Sequence, residues 1–172
     1  MDRNVDPLAN PLPLLRRVHA YVAYRIGPGA DADDVTGETF ARAVRYRARY
    51  DPGKGDPLSW LIGIAGRCIA DASLADHVSV DEETPAAQED LEQRTVERLT
   101  VAAAVARLAP RDRELIALRY GADLTARQIG AELNLNSNAV NQALHRALSR
   151  LRTFLDANES AVTKRSTTRY SE

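Results

Sequence analysis

The chain has 172 residues, of which 44% are apolar and 27% are charged, and its formal net charge is −1. This length allows one domain or two small ones, and no apolar run reaches the roughly 18–20 residues that a membrane-spanning helix needs. The N-terminal stretch MDRNVDPLANPLP lacks the charged-then-apolar pattern of a signal peptide. Because Cys68 is the single cysteine, neither an internal disulfide nor a cysteine metal cluster can form. We therefore expect a cytoplasmic protein without membrane insertion.

Charge is distributed unevenly along the chain. Between residues 100 and 155, Lys and Arg exceed Asp and Glu by four, whereas residues 75–99 carry a net charge of −6. A basic C-terminal region behind a strongly acidic connector is typical of a nucleic-acid-binding protein. We therefore expect the C-terminal part of the chain to bind nucleic acid.

The N-terminal part of the chain predicts a three-helix domain over residues 12–74. Residues 1–11 are rich in Pro and lack periodicity, which indicates a flexible lead-in. Helices are expected at 12–26, 32–49 and 57–73, separated by the Gly/Pro clusters GPGA and DPGKGDP. Asp31 and Asp56 are the expected N-caps of the second and third helices. The side chains expected to be buried by the first two helices are Leu15, Val18, Val22, Val35, Phe40, Ala43 and Val44.

Two local features of this domain stand out. The second helix ends in ARAVRYRARY, where Arg and Tyr alternate about one turn apart. Bases of a separated strand stack on such rings while guanidiniums meet phosphates. Alternatively, both tyrosines seal an edge of the core and the arginines are solvated, and the residues alone favour this second interpretation. In the third helix, Gly63 and Gly66 indicate close packing of a neighbouring helix, with local flexibility as the alternative.

Residues 75–90 are acidic, contain Pro85 and have no regular apolar stripe, so they predict a linker. A C-terminal domain of four helices is expected over 91–155. Its first helix runs from 91 to 108 and ends before Pro110, and the second spans 111–120 and buries Leu115, Ile116 and Leu118. Residues 156–172 are rich in Ser and Thr and predict a disordered tail.

The stretch LTARQIGAELNLNSNAVNQALHRALSRLR (124–152) predicts a helix-turn-helix. Thr125 and Gln128 have the spacing of a capping box. Asn134 lies where the turn needs a left-handed backbone, a conformation that Asn tolerates. Asn136 or Ser137 is expected to cap the recognition helix, at 136–155. The apolar residues expected to face the core are Ile129, Leu133, Leu135, Val140, Leu144, Leu148 and Leu151.

The outward face of the recognition helix consists of Asn138, Asn141, Gln142, His145 and Arg146. Asn, Gln and Arg pair bidentately with base edges in the major groove. Since this face carries no acidic residue and arginines follow toward its end, it favours DNA binding over the alternative, an αα-hairpin with a solvated polar face. A P-loop, a GxSxG elbow, a dinucleotide fingerprint and His/Glu metal spacing are all lacking in the sequence. We expect neither catalysis nor a cofactor or metal.

Several segments in this order resemble one family. DADDVTGETFARAV (31–44) is similar to the form DAEDLVQETFLRAW that is usual in bacterial RNA polymerase sigma factors of the extracytoplasmic-function (ECF) type, the two-domain members of the sigma-70 family. YDPGKGDPLSWLIGIAGRCIAD (50–71) resembles the loop and helix that follow in those proteins. LAPRDRELIALRY (108–120) and the helix-turn-helix ending in LHRALSRLR (144–152) resemble their C-terminal promoter-binding domain.

The resemblance implies an all-α fold of two small domains joined by the acidic linker: a three-helix sigma domain 2 and a four-helix sigma domain 4. The chain would bind core RNA polymerase at the beta-prime clamp, direct it to a promoter class and assist promoter opening. The linker would thread toward the active-site and RNA-exit channels. An anti-sigma factor is a possible further partner.

Residue roles follow from the same resemblance. The implied polymerase contacts are Asp31, Asp34, Glu38 and Thr39. The implied contacts to the minus-ten element, including an unstacked base of the non-template strand, are Arg42, Arg45, Tyr46, Arg49, Tyr50, Lys54, Trp60 and Arg67. The duplex minus-thirty-five element would be read by Asn136, Ser137, Asn138, Asn141, Gln142, His145 and Arg146, with Arg127 and Arg150 on the DNA backbone.

The chain departs from the family pattern mainly by losing polar and basic residues. Gly37 replaces a usual Gln, Gly66 and Arg67 replace Arg-Asn, residues 72–74 replace a basic cluster, and Asn141 and Ala143 occupy commonly basic positions. Two alternatives therefore accompany the sigma-factor hypothesis. One is a stand-alone helix-turn-helix regulator, which would need a dimer interface that no spare apolar stripe provides. The other is a degenerate sigma-like interaction protein that no longer reads DNA.

Overall fold

The computed structural model describes residues 6–76 and 101–168, which are helical apart from turns and loops and contain no strand. The expected all-α fold is confirmed. The linker residues 77–90, the first part of the helix expected from 91, and residues 1–5 and 169–172 lie outside the described ranges. The helices, in chain order, are α1 Pro11–Ile26, α2 Ala30–Tyr46, a 3₁₀ turn Arg47–Arg49, α3 Pro57–Asp76, α4 at 101–106, α5 Pro110–Ile116, a π-helical turn Ala117–Gly121, α6 Ala126–Leu133 and α7 Ser137–Thr168.

Helices α1, α2 and α3 form the N-terminal unit around Val18, Val22 and Ala43, all fully buried. Two residues that were expected inside are exposed instead. Leu15 is 41% exposed, because it lines a shallow groove opposite Gly37, which has no side chain to cover it. Val44 is 57% exposed, because the neighbouring Ala43 turns to the core and places position 44 about 100° away from it.

The helix ends of this unit differ from expectation in detail. Gly29, in the left-handed region at φ 130°, is the N-cap of α2, and Asp31 lies in its first turn rather than at the cap. Asp56 does cap α3, since its Oδ1 accepts a hydrogen bond from the Ser59 N–H at 2.9 Å. A Cβ placed on Gly63 or Gly66 would be 3.8 Å from the nearest side-chain atom, so close helix packing does not explain these glycines.

In the C-terminal unit, Leu115, Ile116 and Leu118 are buried as expected. The helix that carries them is not continuous, because α5 widens after Ile116 into the π-helical turn. Pro110 is the first residue of α5, a position where a missing N–H costs nothing. The preceding helix ends before Pro110 as expected, and the next helix begins at Pro110 itself, one residue earlier than predicted.

The helix-turn-helix has the expected local chemistry. Thr125 and Gln128 form a capping box, and Asn134 adopts a left-handed conformation with φ 55° and ψ 46°. The Asn136 side chain caps α7 by accepting the Ala139 N–H at 2.8 Å. Gly130, which no local pattern marks, lies against the turn: a Cβ there would be 2.4 Å from the Leu135 carbonyl oxygen.

Helix α7 buries Val140 and Leu144, but Leu148 is 38% exposed and the adjacent Ala147 is buried in its place. The helix continues to Thr168, which contradicts the disordered tail expected from residue 156. Residues 156–168 contain neither Gly nor Pro, so no helix breaker interrupts the run.

The two units pack directly against each other. Helix α1 lies on α5 and on the π-helical turn, and buried side chains of both units form one continuous hydrophobic cluster. The cluster includes Val18, Tyr21 and Leu61 from the N-terminal unit and Leu118 and Ile129 from the C-terminal unit. The core therefore extends across the boundary between the two units.

Candidate nucleic-acid interface

The first candidate surface is the outward face of α7. Burial of Val140, Leu144 and Ala147 turns the opposite face of the helix to solvent. The exposed residues on it are Ser137, Asn138, Asn141, Gln142, His145 and Arg146. Asn136 stands at the start of this face with its side-chain oxygen engaged in the helix cap. A helix that presents such side chains has the shape and chemistry to enter a major groove.

The two arginines expected on the DNA backbone differ in their surroundings. Arg127 is exposed in the first turn of α6. Arg150 donates from Nη1 to Asp112 Oδ2 at 2.5 Å, and the Asp112 side chain is only 11% exposed. Arg150 therefore ties α7 to α5, and a phosphate would have to compete with a largely buried carboxylate. The role of Asp112 was not predictable from local sequence, because its partner Arg150 lies 38 residues away.

The second candidate surface is a cleft of about 540 Å³ between α2 and α3. Its lining residues are Glu38, Arg42, Arg45, Tyr46, Arg49, Trp60, Ile64 and Arg67. A smaller neighbouring cleft of about 170 Å³ contains Tyr50 and Lys54, and it shares Arg49 and Trp60 with the first. The structure thus brings together the residues that the sequence analysis assigned to the minus-ten element, and it adds Ile64, one helical turn after Trp60.

The aromatic rings in these clefts have different surroundings. Tyr46 is 38% exposed, and the Arg49 guanidinium lies 5.1 Å from its ring centroid. The Tyr50 ring packs on Trp60, with centroids 5.5 Å apart and planes inclined by 57°. The Tyr50 hydroxyl donates to the Gly55 carbonyl at 3.0 Å, and burial raises the pKa of that hydroxyl, so it stays protonated. Tyr50 therefore supports Trp60 and the loop, whereas Tyr46 offers an open ring beside a cation.

Arg42 is held by two carboxylates within the chain. Its Nε donates to Glu38 at 2.6 Å and its Nη1 to Asp71 at 2.7 Å. Hydrogen bonds to Asp71 and Glu38 raise the pKa of Arg42 further above its usual value. Arg42 therefore joins α2 to α3, and the exposed guanidiniums of the cleft are those of Arg45, Arg49 and Arg67.

Asp71→Asn is expected to strengthen binding of single-stranded DNA to this cleft, since it weakens the hold on Arg42. One additional phosphate contact would steepen the slope of log affinity against log salt by about 0.7. The measurement is fluorescence anisotropy of a labelled single strand across a salt series. Asp33→Asn, which removes the same charge from the far end of α2, is the control. Equal slopes for the two variants would show that Arg42 does not reach a phosphate.

The expected polymerase contacts are only partly accessible. Asp31 and Asp34 are exposed in the N-terminal half of α2, and Glu38 is exposed but paired with Arg42. Thr39 is fully buried, and its hydroxyl donates to the Val35 carbonyl at 2.7 Å. Thr39 is therefore unable to contact a partner, and its assignment as a contact is wrong. Position 39 lies on the same helix face as Val35 and Ala43, which turns it to the core.

Residues 6–76 and 101–168 hold no group of three or more His, Cys, Asp or Glu arranged to bind a metal. None of the helices there is both long and apolar enough to cross a bilayer. The helix-turn-helix has a polar outward face on α7, called the reading face below, and the N-terminal unit has a basic cleft with aromatic rings. Together they define a nucleic-acid-binding protein with two candidate binding surfaces.

Family comparisons agree with this class. The family model described as Sigma-70 region 2 matches residues 13–77, and the model described as Sigma-70, region 4 matches residues 104–153. Together the two matches cover most of the chain and contain both candidate surfaces. The chain belongs to the sigma-70 family, and its relatives place it among the ECF sigma factors.

Among those relatives, the ECF RNA polymerase sigma factor SigK of Mycobacterium ulcerans is 29% identical over 152 residues, which are 83% of this chain and 81% of SigK. The RNA polymerase sigma factor CarQ of Myxococcus xanthus is 29% identical over 154 residues, 86% of this chain and 88% of CarQ. The ECF RNA polymerase sigma factor BldN of Streptomyces coelicolor is 27% identical over 147 residues, 80% of this chain. The chain spans 56% of the length of BldN.

Solved structures show the same architecture. The sigma factor RpoE of Bartonella quintana, in complex with the anti-sigma factor NepR, matches with a TM-score of 0.64 over 84% of this chain and 93% of RpoE. At 18% identity this likeness concerns the fold alone. CnrH, in complex with the cytosolic domain of CnrY, matches at 25% identity with a TM-score of 0.62, over 87% of this chain and 85% of CnrH.

Proposed function

We propose that this chain is a sigma factor that directs core RNA polymerase to a class of promoters and assists promoter opening. One observation carries the proposal: a helix-turn-helix with a polar exposed face and a cleft lined by arginines and aromatic rings occur on a single chain of the sigma-70 family. Stand-alone operator binding would not require a cleft with an open aromatic ring and exposed arginines. A sigma-like protein that had lost DNA reading would not need to keep both surfaces solvent-exposed.

Each surface has a distinct task in this proposal. The α7 face, centred on Asn141, Gln142 and Arg146, reads base edges of the minus-thirty-five duplex. The cleft between α2 and α3 captures an unstacked base of the non-template strand near Tyr46 and Trp60, while Arg45, Arg49 and Arg67 meet the phosphates of that strand. Binding of an unpaired base favours the melted promoter, which is how the chain would assist opening.

Polymerase binding is assigned to the N-terminal half of α2. Asp31 and Asp34 present exposed carboxylates there, and Glu38 is one turn further on. We propose that this acidic helix face docks on the beta-prime clamp of core polymerase. An anti-sigma factor is a further proposed partner, supported by the similar structures of RpoE and CnrH, which contain NepR and CnrY respectively.

The free protein is expected to bind promoter DNA weakly. The reading face of α7 carries a single arginine between residues 136 and 146, and Arg150 is engaged by Asp112. For every phosphate that the protein fails to neutralise, the slope of log affinity against log salt falls by about 0.9. Gel-shift titration at physiological salt should therefore give a tight complex only in the presence of core polymerase. Tight binding of promoter duplex by the free protein would contradict the expectation that a tight complex requires core polymerase.

The function itself is tested by multi-round transcription with purified core polymerase on a library of genomic promoters. We expect a set of transcripts that depends on the added protein and shares two sequence elements upstream of the start site. Absence of any dependent transcript, with binding to core polymerase intact, would favour the interaction protein that does not read DNA.

A further inference from the structure

The loop at 51–56, between the 3₁₀ turn and α3, is bonded to itself at its start. The Lys54 N–H donates to the Asp51 carbonyl at 3.0 Å, and the Gly53 N–H donates to Asp51 Oδ1 at 3.0 Å. Residues 51–54 are all exposed. Solvent-exposed backbone hydrogen bonds with few buried apolar contacts open easily. These two bonds therefore shape the turn, but they do not fix the loop relative to the helices.

Tyr50 joins this loop to the elements on both sides. Its backbone N–H donates to the Arg47 carbonyl at 3.1 Å, where the 3₁₀ turn ends. Its hydroxyl donates to the Gly55 carbonyl at 3.0 Å, at the far end of the loop. Its ring packs on Trp60 in the first turn of α3, with the centroids 5.5 Å apart. A single residue thus fixes the beginning of the loop, its end and the indole behind it.

The position of the loop decides where the Lys54 ammonium lies. Lys54 is exposed and lines the smaller cleft of about 170 Å³, together with Ser59, Arg49 and Trp60. Arg49 and Trp60 also line the larger cleft, so a strand that stacks a base on the indole passes both clefts. A cation that is already held in place meets a phosphate without first ordering its loop. The affinity for the strand therefore depends on what holds the loop.

We propose that Tyr50 is a positioning residue for strand capture. Its hydroxyl, acting through Gly55, holds the loop so that Lys54 faces a phosphate beside the captured base, while its ring fixes the Trp60 indole. The two tyrosines of the region then have separate tasks, since Tyr46 offers its open ring to a base and Tyr50 acts through its neighbours. This inference rests on the proposed function, in which the clefts capture an unpaired strand.

The test removes the Tyr50 hydroxyl and keeps the ring, by Tyr50→Phe. Tyr46→Phe is the matched control, because it makes the same chemical change at an exposed ring four residues earlier. Trp60 is the single tryptophan of the chain, so its fluorescence reports strand binding without a label. A short oligothymidine strand is a suitable probe, since stacking on aromatic side chains tolerates any base.

Tyr50→Phe is expected to bind this strand about fivefold more weakly, the factor that one hydrogen bond of ordinary strength supplies. Tyr46→Phe should bind like the unsubstituted chain. Full affinity in Tyr50→Phe, or an equal loss in both variants, would overturn the role of the Tyr50 hydroxyl.

A cycle with Lys54→Ala separates positioning from a general effect on stability. Lys54→Ala removes one phosphate contact, so the slope of log affinity against log salt should fall by about 0.7. Because Tyr50 acts by placing Lys54, Tyr50→Phe should lower the slope toward the same value. Combining the two changes should then weaken binding no further than Lys54→Ala does alone. Additive losses, or an unchanged slope in Tyr50→Phe, would contradict the proposal.

Amide hydrogen exchange in the free chain shows whether the loop itself has loosened. In Tyr50→Phe the Gly53 and Lys54 N–H groups should exchange faster than in the unsubstituted chain. The N–H groups of Leu61 and Ile62, both buried in α3, should keep their protection. Loss of protection throughout α3 would show that Tyr50 stabilises the unit as a whole and would overturn the positioning role.

These measurements use neither polymerase nor promoter, so they distinguish the two proposals. If the strand leaves the Trp60 fluorescence of the unsubstituted chain unchanged, strand capture is overturned, and the role of Tyr50 with it. If the unsubstituted chain responds and Tyr50→Phe responds equally well, only the role of Tyr50 is overturned.

Discussion

Gly130→Val is expected to unfold the helix-turn-helix. A Cβ at this position would be 2.4 Å from the Leu135 carbonyl oxygen, a backbone atom of the turn between α6 and α7. The turn is restrained at this point, because the Leu135 N–H is itself bonded to the Gly130 carbonyl at 2.8 Å. Valine adds further carbon atoms in the same direction, so the destabilisation should be about 3 kcal/mol or more. Thermal unfolding followed by circular dichroism measures it.

Ala131→Val is the matched control, because Ala131 is the next residue of α6 and is exposed. This change introduces the same side chain into the same helix without a steric conflict. It should cost only the helix propensity of valine, about 0.7 kcal/mol or less. Similar losses of stability in the two variants would show that the contact between Gly130 and the turn is not a tight one.

Arg146→Ala is expected to reduce promoter-specific transcription strongly while leaving polymerase binding intact. Arg146 is exposed on the reading face of α7, far along the chain from the acidic residues of α2. A bidentate contact to a base is worth about 1–3 kcal/mol, so transcription from the cognate promoter should fall about 10-fold to 100-fold. Reconstituted transcription, together with a pull-down of core polymerase, measures both properties.

Arg152→Ala is the control for the loss of a charge on α7. Arg152 is exposed six residues later, which places it on a different side of the helix. Its replacement should reduce transcription far less than Arg146→Ala does. An unchanged level of transcription with Arg146→Ala would refute the assignment of the reading face.

The helix-turn-helix was predictable in detail because its signals are local. The Thr125 capping box and the Asn136 cap each join a side chain to a backbone group three residues away, and the left-handed conformation at position 134 suits Asn itself. Periodicity likewise identified Val18, Val22 and Val140 as core residues. The family resemblance rested on the same segments, and the family comparisons confirm it.

Contacts between distant segments account for most of what the sequence did not predict. Arg42 looked like a free cation of the strand-binding surface, but Asp71, 29 residues later, holds it. Thr39 matched a contact position by motif, yet its helix face points to the core. The Gly121 contact with α1 joins elements about 100 residues apart, and no pattern within either segment indicates it.

The aromatic cluster shows how structure resolves an ambiguity that sequence leaves open. The residues alone allowed the tyrosines either to seal the core or to stack on bases. Tyr50 packs on Trp60 and supports the loop, whereas Tyr46 keeps an exposed face beside Arg49. Identical residue types four positions apart thus have different surroundings, because the 3₁₀ turn Arg47–Arg49 changes the direction of the chain between them.

We propose that one chain reads two separate promoter elements with two separate surfaces. The most direct measurement is selection of transcribed promoters from a randomised library by core polymerase with the unsubstituted chain, Arg146→Ala or Trp60→Ala. We expect two separate enriched elements, the upstream one lost with Arg146→Ala and the downstream one weakened with Trp60→Ala. Enrichment of a single element, or loss of the same element in both variants, would contradict it.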